Sequence, residues 1–310
     1  MRTLLLHNPT AGAGHPSADD LMKAVRQVGF DPVYRSAKDK SYREALREDW
    51  DLVIVAGGDG TVARTARGLR NRNIPIAILP IGTANNIARS IGILGDMELL
   101  LPQLPTAQTR CVNLGLAKGP WGKRTFLEAV GLGPIAEAIS HSGPKPPKAL
   151  RIDSGREALQ DFIREAEAER LEITVDEEVF AGEFLLVEIL NLSFSGPSLP
   201  IAVSAVPDDH RLDVVFLVES ERARMLAWLA ERPETTLPPV AVRQGRKVRL
   251  EWDRGYLRID SEVYLPPKKA SSVEIKLQKE SLRVLVPRGL PKLKSKHEGA
   301  PSDRLTLLDR

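Results

Sequence analysis

The residues best suited to chemistry sit together in Gly57-Gly58-Asp59-Gly60-Thr61. Glycines, a carboxylate and a hydroxyl follow directly on the apolar run Leu52-Val53-Ile54-Val55-Ala56. Glycine lets the backbone take positive φ and lets another group come within contact distance. A helix-spaced stretch, Val62 to Leu69, comes next. A strand, a glycine turn and a helix N-terminus in that order present backbone N–H groups to a phosphate. The carboxylate of Asp59 would repel a bare phosphate. It belongs there if it holds a metal or takes a proton from an attacking hydroxyl. More plainly, Asp59 or Thr61 could be a helix cap.

Other loops have the same make-up. Asn8-Pro9-Thr10-Ala11-Gly12-Ala13-Gly14 follows a short strand, Thr3 to His7. Ile81-Gly82-Thr83-Ala84-Asn85-Asn86 follows the apolar strand Ile74 to Pro80. Between them, Ser17 to Val28 carries apolar residues at Leu21, Ala24, Val25 and Val28, a helical stripe capped by Ser17. Asp31 to Arg35 is a strand ending at Ser36, Ser41 to Arg47 a short helix, and Ile87 to Ser90 begins another helix. Strands and helices alternating in this way predict an α/β doubly wound parallel sheet. Such sheets bind ligands at the carboxyl ends of their strands. The Asn8, Ser36, Gly57 and Gly82 turns would then share one edge.

From Cys111 the pattern changes to short strands: Val112–Leu116, Thr125–Val130, Leu171–Val175, Phe184–Leu192, Leu212–Val218, Lys247–Trp252, Tyr256–Ile259, Ser272–Leu277 and Leu282–Val286. Helices are expected at Ser154 to Arg170 and at Glu221 to Glu231. This half reads as a mostly antiparallel β domain, a sandwich or partly open barrel. The domain limits that follow are 1–110 for a nucleotide-binding α/β unit, 111–287 for a β-rich substrate unit and 288–310 for a basic tail expected to be mobile. Gly143 to Lys148 is a stiff basic loop, with Lys145 and Lys148.

A chain of 310 residues, 42% hydrophobic and 27% charged, suits two soluble domains. A single cysteine, Cys111, excludes an internal disulfide. The apolar run at the N-terminus is too short for a signal peptide, and no segment is long enough to span a membrane. A reducing cytoplasm is the expected compartment. A net charge of +3 and 5% aromatic residues give no basis for nucleic-acid binding.

Asn8-Pro9-x-Ala11-Gly12, Gly57-Gly58-Asp59-Gly60-Thr61 and Pro80-x-Gly82-Thr83-x-Asn85-Asn86-x-Ala88-Arg89 together resemble the diacylglycerol kinase catalytic domain in its soluble bacterial form, a fold shared with sphingosine and ceramide kinases. Weaker likenesses run through Thr174-Val175-Asp176, Asn191, Pro207-Asp208-Asp209, Asp260-Ser261-Glu262 and Arg283 to Pro287. The resemblance implies an ATP-dependent lipid kinase with its active site between the halves. ATP phosphates would meet Asn8, Ser36, the turn Gly57, Gly58, Asp59, Gly60, Thr61, and Thr83. Glu262 would be the general base. Asp209, with the carbonyls of Val206 and Arg211, would hold a structural Mg2+. Asp59 would help place a catalytic magnesium or the acceptor hydroxyl.

The sequence departs from the family pattern at Asn86, where aspartate is usual, at Glu128, where asparagine is usual, and at His210 and Ser261, where glycine is usual. Gly196-Pro197-Ser198 replaces a glycine triplet. The lipid would be diacylglycerol or a related alcohol. Contact with an anionic membrane surface is expected to be transient and peripheral, through Lys145, Lys148, Lys292, Lys294 and Lys296, with Leu199-Pro200-Ile201 entering the headgroups. A homodimer is a further partner expectation. Two other classes stay open: an NAD kinase, which carries the same Gly-Gly-Asp-Gly-Thr turn, and a nucleotide-binding protein without turnover.

Overall fold

Apolar runs this dense cannot sit on a surface. In the computed structural model they form the centre of a parallel sheet. Described are residues 1–14, 16–69, 73–143, 147–231 and 236–288. The first strands are β1 (Thr3–His7), β2 (Pro32–Ser36), β3 (Leu52–Gly57) and β4 (Ile76–Pro80). They pair in parallel in the order β2-β1-β3-β4. Val53, Ile54 and Val55 have no exposed surface, and each contributes about 1.5–3 kcal/mol by burial. The helices between them are α1 (Ala18–Gln27), α2 (Tyr42–Ala45), α3 (Asp59–Leu69), α4 (Asn86–Ser90) and α5 (Met97–Leu100). Helix α1 starts where the sequence predicts. The Ser17 hydroxyl accepts the Asp20 N–H while the Asp20 carboxylate accepts the Ser17 N–H, so both orphan donors are satisfied.

Parallel register places His7 opposite Ser36 and Ala56, and Gly57 opposite Pro80. The loops that follow all four strands therefore share one edge, as the sequence predicts.

The second half contains β5 (Gln108–Gly119), β6 (Gly122–Phe126), β7 (Ala129–Leu132), α6 (Pro134–Ser140), α7 (Arg151–Glu165), β8 (Glu169–Val175), β9 (Glu178–Leu190), β10 (Leu212–Val218), α8 (Arg222–Ala230), β11 (Ala241–Gly245), β12 (Lys247–Trp252), β13 (Leu257–Ile259), β14 (Glu262–Tyr264) and β15 (Ser271–Val286). All pairings among its strands are antiparallel. Inward side chains of β9 and β10, such as Val187, Ile189, Val214 and Phe216, meet those of β8, β12, β13 and β15 in one core. The opposite face of β9 and β10 packs under α6, α7 and α8 through Leu186, Leu190, Leu159 and Trp228. Strand β15 joins the halves. It pairs antiparallel with β5 and β12, and its end runs parallel to β4 through Val284↔Ile76 and Leu285↔Ala77.

Some predicted elements change. The single strand expected over Thr125–Val130 is broken, because the N–H groups of Leu127 and Glu128 go to the Asp260 carboxylate instead of a ladder. The two strands expected at the end are one, β15, with an irregularity between Leu277 and Ser281. The helix expected to reach Arg170 ends at Glu165, since Arg170 pairs with Glu183 in β8 and β9. Helix α6 was not foreseen. It is one short stretch behind Gly133, at φ 93°, with Pro134 at the first helical position. Leu199 and Ile201, expected to be exposed, are 1% and 2% exposed and belong to the core under α7. Lys145 and the tail lysines lie outside the described residues, as does the side chain of Lys148. No helix among the described residues is long and apolar enough to cross a membrane.

Candidate active site

The glycine turns meet each other before they meet any ligand. A Cβ on Gly58 would lie 3.0 Å from the Gly82 Cα, and one on Gly82 would lie 2.4 Å from the Gly58 Cα. These glycines let the β3 and β4 turns touch backbone to backbone, so Gly58 is fixed by packing as well as by any phosphate. A side chain there would disturb the fold. Gly57 is closed in by Thr61, whose Cβ would be 2.7 Å away, whereas Gly60 faces only the Ser261 Oγ at 3.7 Å. Asn85 holds the second turn. Its Nδ2 donates to the carbonyls of Pro80 and Gly82 at 3.0 and 3.3 Å, and its Oδ1 accepts the Gly82 N–H at 3.0 Å. Its φ of 50° is one that asparagine tolerates better than most residues.

The other residues expected at the nucleotide line the same edge. Asn8 Nδ2 donates to the buried Thr61 Oγ1 at 3.4 Å, tying the first loop to the third. Ser36 Oγ accepts the Lys38 N–H at 3.1 Å. Thr83 Oγ1 accepts from Arg151 of α7 at 3.5 Å, reaching into the second half.

Asp59 begins α3, and its Oδ1 accepts the Ile87 N–H at the start of α4 at 2.9 Å. It is thus a cap, though for the neighbouring helix. Burial raises its pKa against the pull of the Ile87 and Asn86 amides, and Asp260 raises it further. Beside it opens a cavity of about 300 Å³. Its apolar walls are Ala63, Ile87, Ile135, Ile139, Leu159 and Pro197; its polar floor is Asp59, Asn86, Glu128, Arg258 and Asp260.

The floor is a network that the sequence did not announce. Arg258, 1% exposed, donates from Nε and Nη2 to the two Glu188 oxygens at 3.0 and 2.6 Å. It also donates from Nη1 to the Asp260 carbonyl at 2.8 Å and the Glu128 carboxyl at 3.3 Å, and from Nη2 to Ser195 Oγ. Asp260, at φ 50°, turns its carboxylate back onto the Leu127 and Glu128 N–H groups and onto Arg67 at 3.2 Å. Burial pushes the Glu128 carboxyl up to about 8, Arg258 pulling it down and Asp59, Asp260 and Glu188 pushing it further up. A readable signal existed. Glu188 interrupts the apolar run Phe184 to Leu192, and Arg258 sits between Leu257 and Ile259. Charges in buried strands are rare unless paired.

Glu262 is outside the cavity lining. Its side chain is 53% exposed and meets Arg67 at 3.4 Å and the Tyr264 hydroxyl at 3.2 Å. The Asp209 loop stands apart as well. Asp209 Oδ1 accepts the Arg211 N–H at 2.8 Å, and the Val206 carbonyl accepts the Asp209 N–H at 3.4 Å. His210 takes a φ of 58° where glycine would be easier. Among the described residues no group of three or more His, Cys, Asp or Glu side chains is placed to hold a metal. As folded, the loop is an aspartate turn closed on the Arg211 N–H.

Residues 2–117 match the Diacylglycerol kinase catalytic domain. The first part of the chain is thus similar to a diacylglycerol kinase catalytic domain. It is 25% identical over 283 residues to the Diacylglycerol kinase of Bacillus subtilis (strain 168), covering 82% of this chain and 90% of that protein. It is also 25% identical over 260 residues to the Diacylglycerol kinase of Staphylococcus aureus (strain MRSA252), covering 79% of this chain and 80% of that protein. The crystal structure of a diacylglycerol kinase from Bacillus anthracis str. Sterne superimposes with a TM-score of 0.69 at 20% identity, covering 94% of this chain and 98% of that chain. Another structure from the same strain gives a TM-score of 0.73 at 20% identity over 94% of this chain. At those identities the structures speak for the fold: parallel strands first, antiparallel strands after. The match and these relatives support a phosphotransferase of the kinase class.

Proposed function

We propose that the chain transfers the γ-phosphate of ATP to the hydroxyl of a lipid, diacylglycerol or a close relative. One observation carries this reading. An apolar-walled cavity of about 300 Å³ ends on a half-buried carboxylate, Asp59, at the edge where the glycine turns converge. Phosphoryl transfer needs positioned phosphates and an oriented hydroxyl more than it needs covalent chemistry. The nucleotide phosphates would lie against Asn8, Ser36, Gly60, Thr61 and Thr83, where polar atoms line the strand ends. The acyl part of the acceptor would fill the cavity, and its hydroxyl would meet Asp59. That apolar lining favours a lipid acceptor over a dinucleotide.

ATP supplies the phosphoryl group, and magnesium would arrive with it, neutralising phosphate charge. Glu262 enters this reading as the base that the resemblance implies, with Arg67 and Tyr264 fixing its carboxylate. The chain divides as a nucleotide unit, 1–110, and a substrate unit, 111–287. The acceptor reaches the site by peripheral membrane contact, for which Leu150, 54% exposed just ahead of α7, is a better apolar candidate than Leu199 or Ile201.

The test is incubation with γ-labelled ATP, magnesium and a total lipid extract. Label in the chloroform phase, on a lipid alcohol, is the expected result. Label on NAD in the aqueous phase, with none on lipid, would refute it.

A further inference from the structure

The β5–β6 hairpin closes on Gly119↔Gly122, so Pro120 and Trp121 form its two-residue tip. The Trp121 ring folds back onto Tyr264, with 4.6 Å between ring centres, and onto Trp252 at 5.6 Å. Trp252 belongs to the core of the second half, which anchors the tip, while Trp121 stays partly exposed. Loop 265–270 leaves from Tyr264 and returns at Ser271 of β15, which lies opposite Trp252. Both ends of the loop therefore rest against the hairpin tip. Leu265 is 71% exposed. Pro266 and Pro267 stiffen the loop, and the Lys269 carbonyl accepts the Ser271 hydroxyl at 3.2 Å.

Charge on this surface has one sign. Residues 117–127 and 263–273 carry Lys118, Lys123, Arg124, Lys268 and Lys269 and no aspartate or glutamate. Carboxylates on the neighbouring strands are engaged: Glu274 by Lys247 and Lys276, Glu251 by Arg249, Asp253 by Arg254 and Glu262 by Arg67. An exposed leucine and two aromatic rings thus stand among uncompensated cations. A bilayer with anionic headgroups matches all three parts at once. Its phosphates attract the cations, its polar–apolar boundary suits tryptophan and tyrosine, and its acyl region takes the leucine.

Resting on the lipid-kinase reading for its purpose, we propose that the hairpin tip and loop 265–270 form a docking surface for an anionic bilayer. Leu265 enters the headgroup layer, Trp121 and Tyr264 lie at its apolar boundary, and the lysines meet the lipid phosphates. The surface is separate from Leu150 and holds mainly by charge, which a single leucine cannot do. Tyr264 links it to the candidate site, because its hydroxyl donates to Glu262 Oε2 at 3.2 Å. Leu265 follows Glu262 by three residues, about 10 Å along an extended strand. Docking here sets the Glu262 end of the site against the bilayer that holds the acceptor.

The experiment floats the full chain with vesicles of phosphatidylcholine alone or with about one third phosphatidylglycerol. Salt is raised from about 0.1 to about 1 M, over which the screening length falls from about 10 to about 3 Å. Wild type should float with the anionic vesicles only, and salt should release it. Each lysine near such a surface is worth about fivefold in partitioning. The combined variant Lys123→Ala, Lys268→Ala and Lys269→Ala should therefore lose about a hundredfold, and Leu265→Ser about tenfold. Both variants should keep the wild-type turnover number on dioctanoylglycerol in neutral detergent micelles, while their rate on anionic vesicles falls with binding. Wild-type flotation of both variants overturns the surface, as does loss of flotation in Leu150→Ser alone. If the chain sediments as a dimer that only the lysine variant breaks, a second copy covers this face and the proposal falls. A chain that floats with anionic vesicles yet phosphorylates no lipid alcohol refutes the lipid-kinase reading and leaves the docking surface in place.

Discussion

Two acidic regions of this chain differ in how their charge is housed. At the cavity floor Glu128 and Asp260 pair with Arg258 and Arg67 behind apolar walls, with Asp59 beside them and Glu188 holding Arg258 from outside the lining. In the loop around Asp209 the carboxylate lies near the surface and closes a turn on Arg211. Carboxylates of one intrinsic chemistry become an expensive, tightly specified network in the first place and a local turn in the second. Water makes the difference, because only the dry site forces each oxygen to find a protein donor.

The contrast can be broken at its strongest point first. Glu188→Ala strands Arg258 in the interior, and removing one partner of a buried pair costs about 3–5 kcal/mol. Urea unfolding should show that loss; a change below about 1 kcal/mol would mean the floor is wetter than its geometry. Asp59→Asn is next. The amide oxygen can still accept the Ile87 N–H, so the fold should hold while lipid phosphorylation falls by about a hundredfold. Retained activity would remove Asp59 from the site.

Asp213 tests the ground between the regions. It is buried behind the Asp209 loop and accepts Ser204 Oγ at 2.7 Å and Gln244 Nε2 at 3.2 Å. Burial raises its carboxyl to about 6, the two donors and Arg211 pulling down and Asp209 pushing up. Its pKa is thus higher folded than unfolded. The unfolded chain releases this proton first, so stability falls as pH rises from about 4 to about 6, by about 3 kcal/mol, and levels off above. Asp213→Asn should flatten that part of the melting curve; an unchanged slope would assign it to another group.

The smallest effect belongs to the loop. Asp209→Ala should cost about 0.5–1 kcal/mol, the worth of one turn hydrogen bond, with or without magnesium. A magnesium-dependent rise in Tm that the variant loses would make the loop a metal centre and erase the contrast.

The sequence disclosed the parallel sheet because each strand is a continuous apolar run closed by a turn signal. Position along the chain then placed Asn8, Ser36, Gly57 and Gly82 on one edge. The cavity floor was not legible in the same way. Arg258 meets Glu188 across 70 positions and Glu128 across 130, and no local periodicity encodes such pairings. Glu128 was visible as a departure from the family pattern, but its neighbours were not. Asp209 marks another limit: its motif is read from sequence, whereas the turn that its Oδ1 closes on Arg211 is seen only in the fold.

Strand β15 carries a consequence for how the molecule is made. Its final residues complete the edge of β4, through Val284↔Ile76 and Leu285↔Ala77, and flank the start of β5. During synthesis the parallel sheet therefore waits about 200 residues with that edge bare, and an unpaired strand edge is a template for wrong partners. Such distant closure slows folding. A nascent chain stalled before residue 284 should hold an unfinished first half, one that chaperones would recognise as incomplete.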